Sequence, residues 1–139
     1  MNVIANIHWP ENDVQALKHY IGFMIKLLEN IPIDYSNLFS SPLPVMRGYL
    51  AGDNSEEDTR RAANEWRSYM EKNGYMQDFK SPNALKARFA LLALGMSVSA
   101  MQEKVDVGEH VEWAMLCCDK LVGDDKKSLD IFDSYFKFK

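Results

Sequence analysis

The fold is decided by residues 89–96, which read FALLALGM and are apolar in every helical direction. A helix without a polar face must be surrounded by other elements. Ser81 and Pro82 precede the stretch and are typical of an N-cap and a first helical residue. We therefore predict a central apolar helix over about residues 82–102. The uncharged run 89–101 is too short to cross a bilayer, which needs about 20 residues, so we expect no contact with a membrane.

The rest of the chain shows the three- and four-residue apolar spacing of helices. One helix is predicted from Glu11 to Asn30, with Pro10 at its start and Pro32 after its end. Its inward stripe consists of Val14, Leu17, Ile21, Met24, Ile25 and Leu28.

Three more main helices follow from the same spacing. Ser55 and Asp58 resemble a capping box at the start of one, and Asn73-Gly74 closes it. The other two are predicted at about 106–122 and 125–138, the last with Leu129, Phe132, Phe136 and Tyr135 turned inward.

The predicted architecture is all-α, a compact bundle of about five main helices around the central one. One or two short helices are expected between residues 31 and 54, where prolines and serines interrupt short apolar pieces. Residues 1–139 are predicted to form a single helical domain, and residues 1–9 an edge strand or an irregular extension.

Composition excludes several classes of protein. The 139 residues are 47% hydrophobic, which argues against disorder, and the net charge of −4 argues against a nucleic-acid partner. The two cysteines, Cys117 and Cys118, are adjacent and cannot form a useful disulfide, so we expect a reducing compartment. The N-terminus shows no secretory signal, and a cytoplasmic location is expected.

The negative charge is unevenly distributed. Residues 103–133 carry nine acidic and four basic side chains, a net charge of −5, whereas the rest of the chain carries +1. In the helix predicted at 106–122, the inward stripe is Val107, Val111, Ala114, Cys118 and Leu121. Acidic residues, Trp113 and Leu116 point away from that stripe. This mixture suits a surface that recognises a basic partner, because aromatic anchors supply affinity and charge supplies steering.

We therefore predict a partner-binding surface formed by Glu103, Asp106, Glu109, Glu112, Trp113, Leu116 and Asp119. The structural alternative is that the last helix packs over Trp113 and Leu116 and leaves the acids as a solvated rim. On the second main helix, the basic residues Arg60, Arg61 and Arg67 alternate with acids and are expected to form a salt-bridged surface.

No pattern of residues indicates a reaction. His110 and Asp106 lie four residues apart, but such a pair is usually an ordinary pair on a solvated helix face rather than a metal site. Cys118 lies in the inward stripe, Cys117 is expected to be less buried, and neighbouring acids are expected to raise the pKa of Cys117. Phosphate-binding glycine motifs and Cys-x-x-Cys are absent from the sequence. We therefore expect no catalytic residue, no metal, no cofactor and no enzymatic activity.

The size, the helical pattern, the missing leader and the acidic segment 109–113 (EHVEW) together resemble one class of protein. These are the small all-helical immunity proteins that bacteria make against their own polymorphic toxins, including those of contact-dependent growth inhibition. The resemblance implies a stoichiometric inhibitor that covers the active site of a cognate toxin domain, often a basic nuclease.

Two other functions stay open. One is a helical ligand- or metal-binding protein, or an enzyme without a known motif, with an inner pocket near His19, Tyr20 or His110. The other is an adaptor that self-associates through Trp113 and Leu116, although a monomer is favoured.

Overall fold

The computed structural model describes residues 9–38, 40–102 and 107–136. In these ranges the chain forms seven α-helices and no strand, which confirms the all-α prediction. They are α1 (Asp13–Asn30), α2 (Leu43–Ala51), α3 (Glu56–Asn73), α4 (Pro82–Gly95), α5 (Val98–Gln102), α6 (Val107–Val122) and α7 (Asp125–Tyr135). None of the helices in the described ranges is both long and apolar enough to cross a membrane. The prediction for residues 1–8 lies outside the described residues.

Helix α4 is the centre of the bundle, as its apolar sequence predicts. It packs most extensively against α3 and α6, and α1 also contacts it. Half of its residues are buried: Ala84, Leu85, Ala87, Phe89, Ala90, Ala93 and Leu94. Four of these are alanines, which allow the backbones of neighbouring helices to approach closely.

The prediction that this helix continues to residue 102 is wrong. Met96 is extended, with φ −75° and ψ 144°, and ends α4 after Gly95. The Ser97 hydroxyl then accepts a hydrogen bond from the Ala100 backbone N–H at 3.1 Å and so caps the start of α5. Serine favours this capping conformation over a helix interior, and a preceding glycine weakens the helix further.

The predicted ends of α3 are confirmed. The Ser55 backbone N–H donates to the Asp58 carboxylate at 2.8 Å, while the Asp58 N–H donates to the Ser55 hydroxyl at 3.3 Å, which completes a capping box. Gly74 ends the helix in the left-handed region, with φ 71°. Helix α1 begins slightly later than predicted, at Asp13, because the Asn12 side chain caps it.

Helix α7 docks on α1 through aromatic side chains. Phe132 and Phe136 are buried as predicted, and the Tyr135 hydroxyl donates to the His19 carbonyl at 2.9 Å. The prediction that Leu129 faces inward is wrong, because the buried residue one turn before Phe132 is Ser128. The helix also ends at Tyr135, earlier than expected, since Phe136 is already extended.

The predicted inward stripe of α1 is wrong at its first residue, Val14. Val14 is exposed, and the stripe begins at Ala16 and Leu17. Val14 lies in the first turn of α1, before the helix reaches the buried core.

Candidate partner-binding surface

Helix α6 has one buried face and one narrow exposed face. Val111, Ala114 and Cys118 are buried, and Val107 and Leu121 are half-buried, which confirms the predicted inward stripe. Met115 and Cys117 are buried as well. The exposed positions of this helix are Glu109, Glu112, Trp113, Leu116 and Lys120, which follow the three- and four-residue spacing of one helix face.

Trp113 lies on this face in contact with an aromatic residue from another part of the chain. Its ring centroid is 5.8 Å from that of Phe79, and the two ring planes are tilted by 39°. Both side chains are 38% exposed. The structural alternative, in which the last helix packs over Trp113 and Leu116, is wrong, since Leu116 also remains 39% exposed.

Phe79 belongs to the segment 75–81 between α3 and α4 and was not among the residues predicted from the sequence. Met76 of the same segment is exposed too. An aromatic residue in a turn between two helices does not by itself indicate a binding surface. Phe79 matters because α6 packs against α4 and so brings Trp113 into contact with this turn.

Several polar contacts hold the segment 75–81 in place. The Arg88 guanidinium carbon lies 4.2 Å from the centroid of the Phe79 ring, and its Nη2 donates to the Met76 carbonyl at 2.8 Å and the Tyr75 carbonyl at 3.3 Å. The Lys120 ammonium donates to the Phe79 carbonyl at 3.3 Å. The turn is therefore fixed from both α4 and α6.

Asp78 stabilises the same turn from within. Its carboxylate accepts hydrogen bonds from the Ser81 hydroxyl and backbone N–H and from the Lys80 N–H. These bonds, those of Ser81 first, lower the pKa of Asp78 to about 2. The exposed Phe79 ring thus belongs to an ordered turn, and ordering it for a partner costs little entropy.

The acids of the surface lie beside the aromatic pair. Glu109 is in the first turn of α6, where a carboxylate also stabilises the helix dipole, and Glu112 directly precedes Trp113. The ion pairs within the described ranges are Lys26–Glu29, Arg47–Glu29 and Arg61–Asp58. None of them involves Glu112. The other end of this face carries Lys120.

Asp119 packs against α7 and does not lie on the exposed surface where it was predicted. It is half-buried and accepts a hydrogen bond from the hydroxyl of Ser128, which is fully buried in α7. Asp119 therefore joins α6 to α7 instead of pointing outward with Glu109 and Glu112. Of the seven predicted surface residues, the structure brings together Glu109, Glu112, Trp113 and Leu116, while Glu103 and Asp106 lie outside the described residues.

The cysteines are poorly suited to nucleophilic chemistry. Cys117 is 1% exposed, which corrects the expectation that it is less buried. Burial raises its pKa to about 11, whereas Arg88 and Lys120 act in the opposite direction, so burial and not neighbouring acids is the cause. Burial also raises the pKa of Cys118, with smaller contributions from Cys117 and Asp119.

The side chains of His19 and Tyr20, considered above as part of an inner pocket, pack against other residues. The His19 ring stacks on Tyr135 with a centroid distance of 4.8 Å and meets Trp9 and Phe136 edge to face. The buried Tyr20 hydroxyl donates to the Leu92 carbonyl at 2.8 Å. A search of the described residues for three or more His, Cys, Asp or Glu side chains arranged to hold a metal finds no such group.

Comparison with known proteins adds no identification: neither a protein family, nor a curated protein, nor a solved structure matches the chain.

Proposed function

We propose that the protein is a cytoplasmic immunity protein of a bacterial toxin system, which binds and neutralises a basic toxin domain stoichiometrically. Its binding surface consists of Phe79, Glu109, Glu112, Trp113 and Leu116, referred to below as the α6 surface. The observation that carries the proposal is the exposed contact between Phe79 and Trp113, held beside Glu112 by an ordered turn.

The aromatic pair supplies the affinity in this proposal. Tryptophan and other large rings dominate the binding energy of protein interfaces when they lie at the centre and lose their water on binding. Phe79 and Trp113 come from two elements that are packed and hydrogen-bonded in the free protein. Little conformational entropy is therefore lost when a partner covers them.

The acids supply selectivity and speed. A toxin domain that cleaves nucleic acid has a positive cleft because its substrate is a polyanion. Glu109 and Glu112 present negative charge next to the apolar anchors, which attracts such a cleft and accelerates association. Asp124, Asp130 and Asp133 of the α7 region are exposed and add to the negative charge of this half of the chain.

The test is protection of growth. The partner to use is the protein domain encoded beside this chain's gene, provided that it is basic and arrests growth when expressed alone. We expect co-expression of the chain to restore growth, and the purified pair to form a one-to-one complex. The variant Phe79→Ala/Trp113→Ala should lose both effects.

The matched control removes two exposed apolar side chains elsewhere, as Val14→Ala/Leu129→Ala. It should protect as well as the unaltered chain. Full protection by Phe79→Ala/Trp113→Ala would exclude the α6 surface, and failure of the unaltered chain to bind the toxic domain would exclude the immunity function. A dimer of the chain that depends on Trp113 would instead support the self-associating adaptor.

A further inference from the structure

A cavity of about 360 Å³ lies where α3, α4, α5 and α6 meet. It does not include the residues of the α6 surface, although Arg88 of its lining contacts the Phe79 ring. Its apolar lining consists of Leu91, Leu92, Met96 and Ala100, with Gly95 beside them. Its polar lining consists of Arg67, Arg88 and His110. The volume is within the range of sites for small molecules, which are typically apolar with a few convergent polar groups.

Neither arginine of this lining forms an ion pair with a carboxylate in the described part of the chain. The Asp78 carboxylate, whose pKa is lowered mainly by its hydrogen bonds from Ser81, is also influenced to a smaller extent by the charge of Arg88. Arg67 was expected to join a salt-bridged surface, yet the ion pair on α3 is that of Arg61 with Asp58. Arg88 donates to the carbonyls of Tyr75 and Met76, which carry no net charge. The carboxylates that the structure describes are also absent from the cavity lining.

Arg88 has a further feature that distinguishes it from an ordinary surface arginine. Its Nε is buried, and it is the one buried side-chain nitrogen or oxygen of the described residues without a hydrogen-bond partner. The nearby Asp78 carboxylate accepts its hydrogen bonds from Lys80 and Ser81 instead. A guanidinium that keeps one donor without a partner in a partly apolar environment is stabilised further when an anion lies close to it.

We propose that this cavity binds a small carboxylate with an apolar body. The carboxylate pairs with Arg67 and Arg88, since a guanidinium presents its N–H donors in the geometry that a carboxylate accepts. The hydrocarbon part of the ligand lies against Leu91, Leu92 and Met96. The apolar lining favours such a molecule over inorganic phosphate, which is strongly hydrated and has no apolar surface to bury.

Single substitutions can fill the cavity or remove one of its positive charges. Gly95 has no left-handed φ, and a Cβ placed there meets Leu91 Cδ1 at 3.8 Å, an ordinary contact. Gly95→Leu should therefore occupy cavity volume without backbone strain. Arg67 is exposed, so Arg67→Met should remove one charge and leave the fold intact. Arg60→Met, an exposed arginine on the same helix that is not in the cavity lining, is the matched control.

The experiment is a titration of the full chain, followed by amide chemical shifts, with sodium octanoate, 3-phenylpropionate, 3-phenylpropionamide and inorganic phosphate as probes. We expect saturable binding of the carboxylates with a Kd of about 1 mM or tighter, with shifts centred on Leu91, Leu92, Gly95 and Ala100. Arg67→Met should weaken that binding by about tenfold, Gly95→Leu should abolish it, and Arg60→Met should leave it unchanged.

Four outcomes would overturn the proposal. The first is that no carboxylate binds saturably, and the second is that the neutral amide binds as tightly as its acid. The third is that Arg67→Met and Arg60→Met behave alike. Binding of phosphate as tight as that of octanoate would likewise contradict the role given to the apolar lining. If Gly95→Leu does not fold, the comparison of Arg67→Met with Arg60→Met still tests whether the carboxylate binds at this cavity.

Discussion

The Phe79 ring lies 5.8 Å from the Trp113 ring across the boundary between the α3–α4 turn and α6, and both rings remain 38% exposed. Two separate parts of the chain therefore build one apolar anchor next to Glu112. The function proposed for the chain depends on this pair more than on any single charge.

The first prediction concerns Trp113 itself. Trp113→Ala should weaken binding of the toxin domain by about 30-fold or more, since a central aromatic anchor contributes at least about 2 kcal/mol. The free energy of unfolding should fall by about 1–3 kcal/mol, because the side chain is mostly buried although 38% of it is exposed. Calorimetric titration and urea denaturation measure the two effects. Leu129→Ala, an exposed apolar residue of α7, should leave the affinity unchanged, and an equal loss with both variants would contradict the prediction.

The second prediction separates Asp119 from the binding surface. Ser128→Ala removes the hydrogen bond that the Asp119 carboxylate accepts from a buried hydroxyl, and should lower the free energy of unfolding by about 1–3 kcal/mol. Ser134→Ala on the exposed side of α7 should change it by less than about 0.5 kcal/mol. Urea denaturation measures both. Equal stability of the two variants would mean that the contact does not join α6 to α7.

The third prediction concerns the close approach of α7 to α1 at Gly22. A Cβ at this position would overlap the Tyr135 hydroxyl, which donates to the His19 carbonyl. Gly22→Ala should therefore destabilise the protein by about 1–3 kcal/mol. In the double variant Gly22→Ala/Tyr135→Phe the two losses should not add, because removing the hydroxyl also removes the overlap.

Thermal or urea denaturation of the two single variants and the double variant measures this coupling. Gly95→Ala is the control for glycine replacement. Its Cβ makes an ordinary contact with Leu91, and the variant should be more stable by about 0.5 kcal/mol. Strict additivity of the Gly22 and Tyr135 losses would show that the hydroxyl does not limit the space at Gly22.

The fourth prediction follows from the buried thiols. The Cys117 pKa is raised from 9.0 to about 11 in the folded protein, so the unfolded chain loses this proton first as the pH rises. The thiol's contribution to stability is therefore complete below about pH 9 and is lost progressively towards pH 11. Unfolding by urea at pH 8, 9 and 10 should show a falling free energy, and Cys117→Ala/Cys118→Ala should flatten this slope. An unchanged slope would mean that the thiols do not titrate differently in the two states.

The sequence predicted most of the helices and four of the five residues of the α6 surface. The apolar run 89–96 and the capping box at Ser55 and Asp58 act locally, so they are readable from spacing alone. Glu112, Trp113 and Leu116 were found because a single helix determines which residues share a face. Phe79 was not found, because its contact with Trp113 depends on how α6 lies against α4 and on the Arg88 contacts that hold the turn.

The errors have the same origin in tertiary packing. Gly95 and Ser97 are tolerated inside many helices, and only the extended Met96 shows that α4 ends there. Leu129 is more apolar than Ser128, yet Ser128 is the buried residue because the Asp119 carboxylate accepts its hydrogen bond. The shared cavity lining of Arg67 and Arg88 could not be recognised either, since the residues that line this cavity come from four helices at once.

The central claim, that the α6 surface attracts a basic partner, is tested most directly by the association rate with the purified toxin domain at several salt concentrations. Glu109→Lys/Glu112→Lys should lower the association rate at low salt by about tenfold or more and flatten its salt dependence. The control Asp53→Lys/Glu65→Lys makes the same change in net charge at exposed positions outside α6 and should have little effect. Equal association rates and equal salt dependence for the two charge-reversed variants would contradict the account.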